Sequence, residues 1–199
     1  MSSYNPETRT RILQSALTLL ESGGGNGVRM ADIAKQAGIS RQAVYLHFPT
    51  RAELLIATTL YVDEINDVDA RQAVSRGAGS GIARLDAYIE AWGNYIPEVY
   101  GISKALLAMK DTDDAAAAAW EGRMQAMREG CAAAIKALKD DGKLAPGLKP
   151  DQATDLLWTL LSVRNWEQLT IDCGWPQKRY IASVKRLARQ AIVIDGPSA

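Results

Sequence analysis

The amino-acid sequence predicts an all-α protein of nine helices in two domains. No segment alternates apolar and polar residues over the length of a strand, whereas apolar residues recur at helical spacing through nearly the whole chain. Glycine and proline interrupt this spacing at several points, and residues that favour helix caps follow several of the breaks. Together these observations predict helices joined by short turns.

The first three predicted helices have boundaries marked by local signals. Asn5 is a favoured N-cap residue, and Pro6 stands at the first helical position. The glycine-rich run 23–27 ends that helix, Gly38 ends a second one, and Ser40 is the N-cap of a third. The second helix is predicted over about 30–37, and the third is predicted to end before Pro49.

The remaining six helices are predicted to be longer. Thr50 and Glu53 have the spacing of a capping box, in which each side chain binds the other's backbone amide at the start of a helix. Pro97 is predicted to separate two helices, because proline breaks a helix interior. The predicted ranges are about 51–74, 81–96, 98–109, a long helix between 114 and 141, 151–172 and 176–194. We therefore expect a three-helix domain over residues 1–50 and a helical domain over 51–199.

Composition restricts the classes of function. The chain has 199 residues, of which 47% are apolar, and 23 basic residues balance 23 acidic ones, which excludes disordered and disulfide-rich classes. One histidine, two distant cysteines and no phosphate loop or carboxylate pair lead us to predict no metal, no cofactor and no enzymatic activity. We expect a cytoplasmic protein without a membrane segment, because no signal peptide or long apolar run is visible.

Charge is distributed unevenly along the chain. Residues 1–56 contain six basic and four acidic side chains, against 17 and 19 in the remainder. The excess is small, but it indicates that an anionic partner would bind the amino-terminal segment.

The segment 30–49 has the spacing of a helix-turn-helix. Ala34 is small where the second helix would cross the first, and Gly38 permits a left-handed turn. A small core would consist of Ile33, Ile39 and Val44, which leaves Arg41, Gln42, Tyr45 and His47 on the opposite face. Arginine and glutamine side chains bind guanine and adenine edges bidentately. Any two amphipathic helices joined by glycine have a similar pattern, so the spacing alone leaves a purely structural helix pair open.

The stretch SRQAVYLHFPTRAELL, residues 40–55, resembles the recognition helix and the following helix of the TetR family of transcriptional regulators. The resemblance extends over about residues 9–57, and it implies that this segment binds DNA. The residues that it places at the DNA are Arg29, Arg41, Gln42, Ala43, Tyr45, His47 and Arg51.

Two of these positions differ from the usual residue of the family. Arg51 stands where members usually have a phosphate-binding lysine, and arginine can bind phosphate bidentately. Arg29 stands where members usually have a capping threonine. Since arginine cannot cap, either Arg29 contacts phosphate directly or Asp32 helps to hold the helix start.

Aromatic residues are concentrated in the second predicted domain. Tyrosine and tryptophan combine an apolar body with a polar group, which suits a partly hydrated cavity, and methionine adapts its shape to a ligand. The predicted ligand-binding residues are Trp92, Tyr95, Trp120, Met124, Trp158 and Asn165. The alternative is that these aromatic side chains only fill gaps between alanine-rich helices, and that Asn165 belongs to a dimer contact.

The family resemblance implies a ligand-responsive regulator that binds double-stranded DNA. We expect a bacterial repressor that leaves a palindromic operator when a small apolar or aromatic effector binds, and a homodimer formed through about 151–194. The alternative is a small-molecule-binding or interaction protein that has lost specific DNA binding. The only sequence feature that favours this alternative is Arg29 in place of the capping threonine.

Overall fold

The computed structural model describes residues 5–23 and 28–194, and it confirms the all-α fold. These residues form ten α-helices instead of nine, together with one π-helical turn, Glu167–Asp172. The helices are α1 (Pro6–Ser22), α2 (Met30–Gln36), α3 (Arg41–His47), α4 (Arg51–Ile65), α5 (Val68–Arg76), α6 (Gly81–Met109), α7 (Asp114–Asp140), α8 (Pro150–Leu160), α9 (Val163–Trp166) and α10 (Gln177–Ile192). No helix in the described ranges is long and apolar enough to cross a membrane.

The chain divides into two compact units. Unit 1 comprises Met1–Asn66 and Val99–Met124, and unit 2 comprises Asp67–Glu98 and Gln125–Ala199. Helices α1 to α4 lie in unit 1, and α8 to α10 lie in unit 2, while α6 and α7 each contribute one segment to both units. The predicted domains 1–50 and 51–199 have different bounds and remain a prediction.

The predicted cap and the predicted end of α1 are both present in the structure. The Asn5 side chain accepts a hydrogen bond from the Glu7 amide at 3.0 Å, and Gly23 ends α1. The rest of the predicted glycine breaker, 24–27, lies outside the described residues. Helix α1 packs on α2 and α4. The core of unit 1 includes Ile12, Ala16, Leu20, Ile33, Val44, Leu54 and Leu55, each 2% exposed or less.

Helix α4 differs from its prediction at both ends. The Thr50 hydroxyl accepts from the Glu53 amide at 3.1 Å, but the Glu53 carboxylate binds the Thr50 hydroxyl instead of its amide, so only half of the capping box forms. The helix ends at Ile65, not near residue 74. Asp67 adopts a left-handed conformation with φ of 49°, and its carboxylate caps a separate helix by accepting from the Ala70 amide. An aspartate that stabilises a turn locally therefore interrupts the predicted helix.

The predicted break at Pro97 is wrong, because α6 continues through it. Proline lacks the N–H group that would bond the Gly93 carbonyl one turn earlier. In the structure this carbonyl accepts a hydrogen bond from Gln177 Nε2 at 2.6 Å. The Gln177 side chain is itself oriented by Trp166, whose Nε1 donates to Gln177 Oε1 at 2.8 Å. A tertiary contact thus replaces the helical hydrogen bond that proline removes.

The predicted single helix over 151–172 is also wrong. Helix α8 ends at Leu160, and the carbonyl of the next residue, Leu161, accepts a hydrogen bond from Trp92 Nε1 at 2.9 Å. Ser162 then caps α9 by accepting from the Arg164 amide at 3.2 Å. The side chain of Trp92 therefore binds a carbonyl that an uninterrupted helix would have used itself.

Ion pairs and apolar packing join α10 to α6 within unit 2. Arg189 pairs with Asp86, and Lys185 pairs with Glu90 four residues further along α6. The core of unit 2 includes Leu85, Ile89, Ile135, Leu157, Tyr180 and Ala188, none of them exposed. This packing holds α10 along the amino-terminal part of α6.

Replacement of Gly38 or of Gly122 by alanine should change the free energy of unfolding in opposite directions. Gly38 has φ of +66°, and no atom lies within 4 Å of the position that an added Cβ would take, so Gly38→Ala meets only backbone strain, about 1 kcal/mol. Gly122 lies inside α7 with equally open space, so Gly122→Ala should stabilise the protein by roughly 0.5–1 kcal/mol. Urea denaturation measures both free energies of unfolding, and equal signs would contradict the left-handed turn.

Candidate nucleic-acid interface

The connection between α2 and α3 is a tight left-handed turn. Gly38 has φ of +66°, and the Ile39 amide donates to the Ala34 carbonyl at 3.0 Å. Ser40 caps α3 by accepting from the Ala43 amide at 3.1 Å. These bonds fix the direction in which α3 leaves the turn, as a helix-turn-helix requires.

One face of α3 is anchored in the core, and the other is open to solvent. Val44 is fully buried and Phe48, directly after the helix, is 3% exposed. The predicted reading residues Arg41, Gln42 and Tyr45 are exposed on the other side, while Ala43 and His47 are half-buried. The structure therefore presents Arg41, Gln42 and Tyr45 on the exposed side of a helix whose other side is anchored in the core.

Arg41 and Tyr45 interact along this exposed face. Arg41 Nη2 donates to the Tyr45 hydroxyl at 3.2 Å, and the guanidinium carbon lies 5.4 Å from the centre of the tyrosine ring. The hydrogen bond to Tyr45 raises the pKa of Arg41 above its usual value. Because the two residues are one helical turn apart, the hydrogen bond and the cation–π contact act on the same arginine side chain.

An open recess of about 670 Å³ adjoins the start of α2, α3 and α4 in unit 1. It brings together four of the predicted DNA-binding residues, Arg29, Arg41, Tyr45 and Arg51. The rest of the lining consists of Val28, Met30, Ala31 and Asp113. Three arginines around one recess make a site suited to an anionic partner, and Gln42, Ala43 and His47 are not part of its lining.

Arg29 begins α2 without capping it. Its side chain makes no cap hydrogen bond, as the sequence predicts, and Asp32 lies exposed in the first turn. The preceding residue, Val28, is held instead, since its carbonyl accepts a hydrogen bond from Arg51 Nε at 2.6 Å. The start of α2 is thus fixed by a side chain from α4.

The Arg51 guanidinium binds an acidic residue that the sequence did not single out. Arg51 Nη1 lies 2.6 Å from both carboxylate oxygens of Asp113, and the two side chains are 23% and 19% exposed. Asp113 also accepts from the amides of Ala115 and Ala116 at the start of α7, at 3.1 and 3.2 Å. The Arg51 hydrogen bond lowers the pKa of the Asp113 carboxyl, with a further contribution from these amides. The proposed phosphate contact of Arg51 therefore starts from an internally paired guanidinium.

Two of the predicted ligand-binding residues lie in unit 1. Trp120, on α7, lines a narrow cleft with side chains of α4 and α6, and Met124 is half-buried one turn further on. The cleft offers only about 10 Å³ of free space. Its other lining residues are Thr59, Val62, Val99, Ile102, Ser103, Leu106 and Arg123.

The other four predicted ligand-binding residues lie in unit 2. Trp92 and Tyr95 are buried, with their rings in edge-to-face contact at 5.8 Å between centres. Trp158 is half-buried, and Asn165 Nδ2 donates to the Thr159 carbonyl at 2.5 Å. Trp92 and Asn165 thus use their polar groups on backbone carbonyls around the break between α8 and α9, and a ligand role for these four residues remains a prediction.

The helix-turn-helix segment is similar to segments of known regulatory proteins. Residues 12–58 match the family described as "Bacterial regulatory proteins, tetR family". HTH-type transcriptional regulator CymR of Pseudomonas putida is 28% identical over 163 residues, which cover 78% of this chain and 75% of CymR. Nucleoid occlusion factor SlmA of Marinomonas sp. (strain MWYL1) is 38% identical over 64 residues, only 32% of each chain. These matches confirm the family resemblance of the amino-terminal segment.

Solved structures share the fold of the whole chain. A candidate transcriptional regulator from Saccharomonospora viridis, solved in complex with choline, superposes with a TM-score of 0.74 at 18% identity. The superposition covers 96% of this chain and all of that one. This chain therefore shares the fold of that protein.

Proposed function

We propose that this chain, which carries the DNA-binding domain of the tetR family of bacterial regulatory proteins, is a cytoplasmic transcriptional repressor whose DNA affinity is controlled by a small molecule. The observation that carries the proposal is the exposed face of α3, where Arg41, Gln42 and Tyr45 lie opposite the buried Val44. A helix anchored in this way can enter the major groove and present side chains to base edges. No similar argument supports loss of DNA binding, since α2 is held at its start although Arg29 does not cap it.

In the proposed complex, base contacts and phosphate contacts fall to different residues. Arg41 and Gln42 have the donors and acceptors that discriminate base pairs, with Tyr45 supporting Arg41. Ala43 and His47 complete the proposed contact surface of α3. Arg29 and Arg51 line the adjoining recess and would bind phosphate, which adds affinity without sequence information.

The proposed effector site is the cleft beside Trp120 in unit 1. Apolar side chains of α4 and α6 line it together with the polar residues Thr59, Ser103 and Arg123, of which Arg123 pairs with Asp63. A mostly apolar lining with a few polar groups is typical of small-molecule sites. The choline bound to the Saccharomonospora viridis protein supports a small-molecule effector in general. We retain an apolar or aromatic molecule as the proposed ligand class because of the tryptophan and the aliphatic lining.

A homodimer through about residues 151–194 is the proposed assembly. Leu156 on α8 and Leu187 on α10 are each 43% exposed, so both carry apolar surface that a second copy could cover. Burial of such side chains against a second copy would remove apolar surface from water. A dimer of this kind requires a palindromic operator, because its two recognition helices are related by two-fold symmetry.

A mobility-shift experiment tests the DNA-binding part directly. The duplex probe covers the region upstream of the protein's own reading frame, and a scrambled duplex of equal length and composition is the competitor. We expect a shift that survives excess competitor and weakens as salt rises, because phosphate contacts release counterions. Equal competition by the unlabelled probe and by the scrambled duplex would contradict specific regulation. Absence of any shift at low salt would contradict DNA binding.

A further inference from the structure

In the contact between Arg51 and Asp113, a carboxylate occupies the guanidinium that is proposed to bind DNA phosphate. Both carboxylate oxygens lie 2.6 Å from Arg51 Nη1, and Asp113 is the acidic residue in the lining of the arginine recess. We propose that Asp113 competes with DNA phosphate for Arg51 and thereby limits the DNA affinity of this chain. The inference rests on the proposed function, and it assigns a DNA-controlling role to a residue outside the helix-turn-helix.

The competition follows from the chemistry of the guanidinium. An arginine binds carboxylate and phosphate oxygens with the same planar donors, so the two anions exclude each other at one edge of the group. While Asp113 is bound, its negative charge also cancels the charge that Arg51 would offer to DNA. Arg29 and Arg41 remain as the cationic side chains in the lining of the recess.

The internal contact leaves the guanidinium incompletely satisfied. Nε donates to the Val28 carbonyl and Nη1 to Asp113, but Nη2 is buried and has no hydrogen-bond partner among the described residues. A buried donor without an acceptor is unfavourable. The contact with Asp113 therefore leaves part of the guanidinium unsatisfied, so it is not an optimal arrangement for the Arg51 side chain.

Asparagine is the informative replacement at position 113. Asp113 caps α7 by accepting from the amides of Ala115 and Ala116, and asparagine caps helices about as well as aspartate. Asp113→Asn therefore keeps the shape and the cap but removes the negative charge that holds Arg51. Asp111→Asn is the matched control, since it removes the same charge from an exposed position two residues away, where the carboxylate pairs with Lys110, a side chain outside the recess.

The test measures binding of a fluorescent 30-base-pair duplex of mixed sequence over a series of salt concentrations. We expect Asp113→Asn to bind about tenfold more tightly at about 50 mM salt, with a log–log salt slope steeper by about 0.9 per bound chain, the value for one additional phosphate contact. Asp111→Asn should follow the wild type. In an Arg51→Ala background, Asp113→Asn should produce no gain, because the side chain for which the two anions compete is absent.

Three results would overturn the inference. Unchanged or weaker binding by Asp113→Asn would mean that Asp113 positions Arg51 instead of competing for it. An equal gain in Asp111→Asn, or in the Arg51→Ala background, would mean a general charge effect. If the double variant does not fold by circular dichroism, the salt slope of Asp113→Asn alone decides. A wild-type protein that binds no duplex at about 50 mM salt would refute the proposed function as well, whereas the other results leave that function intact.

Discussion

Arg41→Ala and Gln42→Ala should each remove sequence preference at one position of the operator half-site. A bidentate contact between such a side chain and a base contributes about 1–3 kcal/mol of discrimination, so each change should flatten a preference of about tenfold to a hundredfold. Both side chains are exposed on α3 in the free protein, and Arg41 is held by Tyr45. Selection from a randomised duplex library, with wild type and each variant in parallel, measures the preference position by position.

Gln36→Ala is the matched control for Gln42→Ala. Gln36 is also exposed, and it ends α2 of the same helix-turn-helix, but it lies outside the proposed reading face. We expect it to leave the selected sequence unchanged. Binding to a non-specific duplex should stay nearly constant in both glutamine variants, since neither changes a charge. If Gln42→Ala selects the wild-type sequence, the discrimination belongs to Tyr45 or to DNA shape.

The amino-terminal helices were predictable because their boundaries depend on neighbouring residues in the sequence. Asn5 and Ser40 cap the helices that immediately follow them, and Gly38 supplies a backbone conformation that other residues adopt only with strain. The apolar spacing correctly placed Ile33 and Val44 in the core, whereas Ile39, which it also placed there, is half-buried. The exposed face of α3 then followed from geometry alone.

Two helix boundaries, at Pro97 and at the end of α8, depend on distant residues, so the sequence predicted them wrongly. Pro97 stays inside α6 because Gln177, 84 positions after Gly93, binds the carbonyl that proline leaves free. Helix α8 ends where Trp92, 69 positions before Leu161, binds a backbone carbonyl. Local propensity contains no information about such partners.

The same limit applies to the candidate site. Family resemblance identified Arg51 as a cation near DNA, but its partner Asp113 is 62 positions away and looks in the sequence like an ordinary helix cap. Three consecutive residues that favour helix N-caps, Asp111, Thr112 and Asp113, precede α7. Nothing in the local sequence distinguishes the one that binds Arg51. Proximity in the fold alone reveals the pair.

A small hydrophobic compound that binds the cleft beside Trp120 should stabilise the protein and weaken its binding to DNA. The cleft offers about 10 Å³ of free space, whereas ligand pockets usually have about 300 Å³ or more. We therefore expect binding to displace helices that line the cleft, among them α4, which packs on α1. In the proposed dimer, a tilt of α4 would change the separation of the recognition helices from the roughly 34–36 Å that successive major grooves require.

The compound is found by a thermal-shift screen and then tested on variants by calorimetry. A ligand present at about one hundred times its Kd should stabilise the native state by about 2.7 kcal/mol. Trp120→Ala should weaken binding by roughly thirtyfold, because a ligand that packs on a tryptophan loses about 2 kcal/mol of contact. Trp175→Ala is the control, since Trp175 stacks on Arg179 in unit 2 and is not part of the proposed site.

Thermodynamic linkage then tests separately whether the compound binds the cleft and whether its binding lowers DNA affinity. If the compound lowers DNA affinity by a given factor, DNA must lower the affinity for the compound by the same factor, and fluorescence anisotropy and calorimetry measure the two independently. Unchanged affinity in Trp120→Ala would exclude the cleft as the binding site, and an effect confined to Trp158→Ala would place the site in unit 2. A compound that binds at Trp120 without changing DNA affinity would leave the cleft as a ligand site and exclude its role in release from DNA.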